Sequence, residues 1–321
     1  MACLGILSPC PAHRRPPGSG RFSLGITRRA AWTLLTLWLG VVGCARSARS
    51  TAPLPLVAVD DLGDTVRLAA PATRIVSLIP ATTELLFALG LGGQVVGRTT
   101  WCDFPDAARQ VPSLGDGLQP NLEAIVAAWP DLVLLYNSVQ NVSAAGRLRA
   151  QGIPTLLVNT DRLADVPRLA RLLAPLGGRA AAGDSLALHF EAALDSATRS
   201  LPGEVTGVLI LAWDQPPIVI GAGSFLSELV TRAGARNVFD DLRAASAPVS
   251  LEAIAGRKVD VVLVLGDTVP GFSRRAEWQS IAAVREHRFV YVPAALFSRP
   301  GPRSPAALRA LSAALQAGPQ P

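Results

Sequence analysis

Apolar residues in this chain fall into short blocks of two alternating periods. In RIVSLIPATTELLFALG (residues 74–90), Ile75, Val76 and Leu78 read as a buried strand that Pro80 breaks, and Leu85, Leu86 and Leu89 then recur at helical spacing. Thr82 and Thr83 lie where that helix would begin, and Gly90 can close it in a left-handed cap. The alternation continues toward the C-terminus. QVVGRTT, DLVLLY, IPTLLV, VTGVLILAW, PPIVIG, DVVLVLG and RFVYVP read as strands, and LEAIVAA, NVSAAGRLRAQG, SFLSELVTRAG, LEAIAG, RRAEWQSI and residues 304–316 as helices. Upstream, VAVDDLGDTVRLAA alternates Val57, Val59, Val66 and Leu68 around Asp61, Leu62, Gly63 and Asp64, which predicts a hairpin. Strands that alternate with helices build parallel sheets covered on both faces, so the fold class is α/β.

Parts of the pattern occur twice. Glu84, Leu85 and Gly90 are matched by Glu228, Leu229 and Gly234 at the same internal spacing. Leu122-Glu123-Ala124-Ile125 returns as Leu251-Glu252-Ala253-Ile254, and each copy is followed by an Asp (Asp131, Asp260) that opens an apolar strand. Two matches in the same order predict two similar α/β halves. Between them, residues 163–201 are helical with a break near Pro175–Gly178, and Leu186, Phe190, Leu194, Ala197 and Leu201 form one stripe. The division expected is a leader (1–44), a tether and hairpin (45–72), a first lobe (73–178), an interlobe helix (179–202) and a second lobe (203–321).

The 321 residues suffice for two lobes with proper cores. Net charge changes the picture less than its size suggests. Of 30 basic and 24 acidic residues, five Arg and no acid lie in residues 1–44, which leaves 25 against 24 in the remainder. Such a balance gives no concentrated basic face for nucleic acid. Arg28 and Arg29 precede an apolar run that is short for a membrane span and ends in Val41-Val42-Gly43-Cys44. This reads as an export signal with a lipobox, so Cys44 is expected to become the lipidated first residue of a membrane-anchored, exported protein. Cys102 then remains as a lone thiol, with no disulfide framework and no Cys cluster for a metal.

RIVSLIPATTELLFALG, PNLEAIVAAWPDLVLLY, PVSLEAI and GARNVF together resemble the substrate-binding proteins of ABC importers for cobalamin, haem and ferric siderophores, over residues 57–316. The resemblance implies two Rossmann-like lobes with parallel sheets, a single long interlobe helix and a ligand cleft between the lobes. The cobalamin-binding members look closest, because TTWCDFP and the WDQPP turn stand where those proteins carry cleft aromatics. A corrinoid is therefore the expected ligand, with haem or a ferric siderophore as the alternative. The implied partners are an ABC permease and its ATPase, and the carrier is expected to be a monomer.

Trp101, Tyr136, Trp213 and Phe297 each follow a predicted strand, where open α/β sheets bind ligands, and flat aromatics can cover a large, partly apolar ring. Arg299, and after it Arg98 and Arg303, could meet an anionic group of the ligand. Haem would need an axial His, Tyr or Met; His189 falls in the connector and His287 in a surface turn, which leaves Tyr136. Gly221-Ala222-Gly223-Ser224 lacks the Lys of a phosphate loop and reads as a helix-start turn. A secreted metal-dependent enzyme is the alternative of a different class. Asp103, Asp106, Asp116 and Asp214 are available to it, but there is no His-Glu-x-x-His, no G-x-S-x-G elbow and no matched acid, base and nucleophile. No catalytic residue, cofactor or bound metal is expected. Glu123 and Glu252 hold equivalent places at two helix starts, and the resemblance implies that such a pair docks onto Arg residues of the two permease subunits.

Overall fold

The computed structural model describes residues 55–198 and 205–319; Cys44, the leader, residues 45–54 and Leu201 lie outside them. Strands β1 (Leu56–Val59) and β2 (Thr65–Leu68) form the expected antiparallel hairpin. Its inner face differs from the expectation on the first strand. Opposed residues share a face and Ala58 stands opposite Val66, so Ala58, Val66 and Leu68 are buried while Val57 and Val59 point outward. The hairpin is tied to the first lobe by Arg149 Nη2, 2.6 Å from Asp60 Oδ2, and by Arg168 Nη1, 2.8 Å from Asp61 Oδ1.

The first sheet comprises β3 (Ile75–Ser77), β4 (Val95–Arg98), β5 (Leu132–Tyr136) and β6 (Thr155–Val158), in the order β4-β3-β5-β6 and parallel throughout. Helix α1 (Pro80–Ala88) starts two residues earlier than expected, with Ile79 at its N-cap. Proline is well placed in a first helical turn, where its missing N–H is not needed. Thr82 and Thr83 consequently fall third and fourth in the helix, within its first turn, and fully buried. Gly90 (φ +73°) and its repeat partner Gly234 (φ +85°) both take the left-handed conformation that ends a helix, and the next amides reach back, Leu91 N to Leu86 O at 2.8 Å and Ala235 N to Val230 O at 3.1 Å.

Helix α2 (Leu122–Ala127) precedes β5, and α3 (Val139–Ala150) and α4 (Asp165–Leu176) complete the first lobe. Helix α5 (Ala180–Ala197) lies between the two sheets in the chain and packs along α4 and against the last long helix. Its inward stripe is Gly183, Ala187, Phe190, Leu194 and Ala197. Burial of Phe190 and Leu194 contributes about 1.5–3 kcal/mol each, more than any polar contact on this helix supplies.

The second lobe holds β7 (Gly207–Asp214), β8 (Pro217–Ile220), α6 (Phe225–Arg232), β9 (Arg236–Asn237), β10 (Ser246–Pro248), α7 (Leu251–Ala255), β11 (Val261–Leu265), α8 (Ala282–Arg285), β12 (Phe289–Val292), α9 (Ala294–Phe297) and α10 (Ser304–Ala317). Its sheet is parallel where β7 pairs with β9 and β11, and where β11 pairs with β12. It differs from a wholly parallel sheet at one edge, where β8 runs antiparallel to β7 and β10 antiparallel to β8. Only Gln215 and Pro216 separate β7 from β8, and a parallel return needs a crossover of about a dozen residues. The helix expected for RRAEWQSI is instead a 3₁₀ stretch, Ala276–Ser280, which buries Trp278 against Phe272 at a centroid distance of 4.5 Å.

The sequence repeat is a structural repeat. Asp131 Oδ2 accepts from Thr73 N at 2.8 Å beside the start of β3, and Asp260 Oδ2 accepts from Gly207 N at 2.6 Å at the start of β7. Burial pushes the Asp131 carboxyl up, but its bonds from Thr73 and Arg74 outweigh that and hold it below the ordinary carboxylate value.

Candidate functional site

A cavity of about 490 Å³ opens between the lobes. Ile79 and Pro80 reach it from the start of α1, Trp101 and Asp103 from the loop after β4, and Thr160 and Asp161 from the loop after β6. Ser224 and Phe225 at the start of α6 and Ser298, Arg299 and Pro300 beyond β12 close it from the second lobe. The site therefore sits at strand carboxyl ends, within the size range of ordinary small-molecule pockets. A larger hollow of about 800 Å³ is lined mainly by side chains of α4, α5 and α6, among them Pro167, Leu194 and Thr231. It has no exposed aromatic, and besides residues 162–164 only Ala222 and Asp240 reach it from loops that follow strands, so the smaller cavity is the stronger candidate.

Trp101 lines the cavity with its side chain 63% exposed, while the residues around it are locked. Its amide donates to Thr99 Oγ1 at 3.2 Å, and Thr99 Oγ1 lies 3.1 Å from the buried Cys102 thiol. Thr83 Oγ1 on α1 lies 3.1 Å from the same sulfur and 2.9 Å from Ser77 Oγ. The Cys102 thiol is thus an anchor, joining the Trp101 loop to the first turn of α1.

Tyr136 lies just behind the cavity. Its hydroxyl donates to the Asp161 carboxylate, 3.0 Å from either oxygen. Burial, then the Asp161 charge and hydrogen bond, push the phenol up to about 12. Asp161 itself is raised, by burial first and by the neighbouring Asp165 charge, against the opposing pull of the Tyr136 hydrogen bond.

Arg299 lines the cavity, but its guanidinium is already engaged. Nη1 donates to Trp101 O at 3.0 Å, Nη2 to Asp103, and Nε lies 3.6 Å from Glu84 Oε2. Burial raises the Asp103 carboxyl, yet the Arg299 hydrogen bond and charge hold it below its ordinary value. Phe297 is a correction: it is 1% exposed and packed in the core under the loop that carries Arg299, so it cannot cover a ligand. Trp213 stands near the tip of the β7–β8 hairpin, its Nε1 donating to Gln215 O at 2.8 Å, outside the cavity lining. Arg98 braces the long loop through Val111 O, Thr99 O and Arg109 O.

Beyond the Arg299 contacts, two further ion pairs that sequence reasoning missed join the lobes. Glu84, 3% exposed on α1, accepts a bidentate pair from Arg303 Nε and Nη2 at 2.8 Å each, and Arg303 in turn lies 3.8 Å over the Phe104 ring. Glu228 on α6 accepts from Arg162 and, at 3.0 Å, from Leu163 N of the first lobe. The repeat had marked both glutamates; each reaches across to the other half.

Glu123 and Glu252 are exposed, each second in its helix, behind Asn121 and Ser250 caps that accept from Ala124 N at 3.1 Å and Ala253 N at 3.2 Å. Hydrogen bonds from its own amide and the Ser250 hydroxyl lower the Glu252 carboxyl. Gly221 follows β8 and lies against the loop of residues 242–245, so close that an added Cβ would clash with Ala244 O; close backbone approach accounts for this glycine, with Ser224 capping α6.

Residues 75–296 match the family described as periplasmic binding protein. An uncharacterised ABC transporter substrate-binding lipoprotein of Bacillus subtilis (strain 168), YvrC, is 29% identical over 294 residues, 86% of this chain and 93% of that protein. The vitamin B12-binding protein of Yersinia pseudotuberculosis is 31% identical over 220 residues, 67% of this chain and 77% of that one. Among solved structures, the periplasmic heme-binding protein RhuT of Roseiflexus sp. RS-1 superposes with a TM-score of 0.67 at 26% identity, over 76% of this chain and 97% of RhuT.

Proposed function

This chain belongs to the periplasmic binding protein family of ABC-transporter substrate-binding proteins, and we propose that it captures a corrinoid between its lobes for delivery to a membrane permease and its ATPase. One observation carries the choice of ligand: the cavity presents a flat exposed indole, Trp101, and none of its described lining residues is a His, Tyr, Met or Cys. A haem carrier needs such an axial side chain. Tyr136 is a poor candidate for it, because burial and the Asp161 carboxylate hold its phenol protonated. His189 is exposed on α5 with Nδ1 2.6 Å from Ser185 O, and His287 is exposed in the turn before β12. Cobalamin carries axial ligands of its own besides its ring nitrogens and asks the protein mainly for stacking area.

Trp101→Ala weakens binding of cyanocobalamin by about 1–3 kcal/mol, the range for truncating an aromatic anchor. Trp213→Ala, outside the cavity lining, changes it by less than about twofold. Equilibrium titration of both variants checks this; full-strength binding by Trp101→Ala would place the ligand elsewhere.

The lipid anchor rests on the Val41-Val42-Gly43-Cys44 sequence. Radiolabelled palmitate is expected in the wild-type protein and not in Cys44→Ala, which stays unprocessed; normal maturation of the variant would remove the anchor from the account. Glu123 and Glu252, exposed at equivalent places on the two lobes, are the proposed contacts with the permease subunits.

A further inference from the structure

The charges around the cavity do not cancel evenly. Its charged lining residues are Asp103, Asp161 and Arg299. Arg299 is consumed by Asp103, by the Trp101 carbonyl and by the nearby Glu84 carboxylate. Arg303 is consumed by Glu84. Asp161 is different: among the described residues no Lys, Arg or His lies within ion-pair distance of its carboxylate, whose one side-chain donor is the Tyr136 hydroxyl. The backbone fixes the carboxylate in place, because Asp161 N donates to Asp165 Oδ2 at 3.0 Å and Phe225 N of the second lobe donates to Asp161 O at 2.8 Å. The cavity therefore offers a fixed acceptor with an unbalanced negative charge, and every cation at its wall is already spoken for.

We infer that Asp161, held by Tyr136, is the specificity-determining residue of the cleft, accepting N–H groups from the amide side chains of a corrinoid and excluding ligands that carry carboxylates at the same places. A carboxylate has spare lone pairs for donors, whereas an incoming anion meets like charge at short range in a partly desolvated site. Haem propionates and carboxylate siderophores fall on the excluded side, and so does a corrinoid whose amides are hydrolysed. The raised carboxyl of Asp161 fits a group that no cation stabilises. The inference rests on the reading of this cleft as the corrinoid site.

The test uses two probes with the same ring: dicyanocobinamide, which carries amides, and dicyanocobyrinic acid, which carries carboxylates in their place. Wild-type protein at pH 7.5 is expected to bind the amide form more tightly by about 30-fold or more, the scale of one uncompensated charge contact at intermediate dielectric. Asp161→Asn, nearly isosteric, should shrink that ratio to about fivefold or less, mainly by improving binding of the acid. Asp161→Ser gives the same comparison with a side chain of different shape, should the amide disturb folding. Tyr136→Phe keeps the charge and should keep the ratio. Discrimination unchanged in both Asp161 variants, with dicyanocobinamide still bound, overturns the role of Asp161 and leaves the corrinoid reading standing. Failure of the wild-type protein to bind either corrinoid overturns that reading, and this inference with it.

Discussion

Glu84→Ala is expected to lower the stability of the protein by about 3–5 kcal/mol, the cost of removing one partner from a buried ion pair, and to drop Tm by roughly 10 °C. The reason lies in what the substitution leaves behind. Glu84 is 3% exposed and faces two guanidinium groups, Arg303 at 2.8 Å and Arg299 at 3.6 Å, whose side chains are themselves 20% and 13% exposed. Without the carboxylate, Arg303 keeps only the face of Phe104 as a partner among these contacts. The repeat-related Glu228→Ala is the internal comparison. Its partner Arg162 is about half exposed, so water replaces much of the interaction and the loss should be nearer 1 kcal/mol. Denaturant unfolding of the two variants measures the difference. Pairing Glu84→Met with Arg303→Met should recover part of the loss, because no uncompensated charge then remains at Arg303. Equal, small effects in Glu84→Ala and Glu228→Ala would show that the interface opens to water and that the buried pair does not hold the lobes.

Reversing both exposed glutamates, Glu123→Arg with Glu252→Arg, should abolish import while leaving ligand capture intact. Each glutamate is exposed on a short capped helix, and neither belongs to the lining of the cavity. The Asn121 and Ser250 side chains hold the helix starts by accepting from Ala124 N and Ala253 N, bonds that the substitutions leave in place. Cyanocobalamin affinity should therefore stay within about twofold of wild type. Docking is another matter, because a carboxylate that meets an arginine becomes a like charge, and juxtaposition of like charges costs several kcal/mol, or about 100-fold or more in association. Transport into proteoliposomes, read beside ligand titration, separates the two. Loss of both activities together, or full transport by the variant, would remove these residues from the docking surface.

Much of the architecture was legible because it is written locally. The strand-turn-helix unit at residues 74–90, the Asn121 cap and the left-handed Gly90 and Gly234 each depend on a few neighbouring residues, and each stands where the pattern put it, save that the helix opens at Pro80. The antiparallel turn of β8 was legible too, from the absence of any crossover after WDQPP, but helix-strand alternation elsewhere masked it. What stayed hidden depends on partners distant in sequence. Period-two alternation in the hairpin fixes that residues alternate, and only the register with β2 decides that Ala58 rather than Val57 goes inward. An aromatic after a strand can face a cleft or a core; Trp101 took the first course and Phe297 the second, and nothing adjacent to either residue distinguishes them. Glu84 shows both sides of the matter. The repeat singled it out, whereas Arg303, its partner, lies 219 residues further along.

The most direct test of the central claim is a paired titration of the purified wild-type protein with cyanocobalamin and with haemin, followed by tryptophan fluorescence and visible absorbance. Saturation at one equivalent of cyanocobalamin, with haemin giving no new axial-ligand bands, is the result this account predicts. Tight one-to-one binding of haemin with the spectrum of a tyrosine- or histidine-ligated iron, and no response to cyanocobalamin, would contradict it.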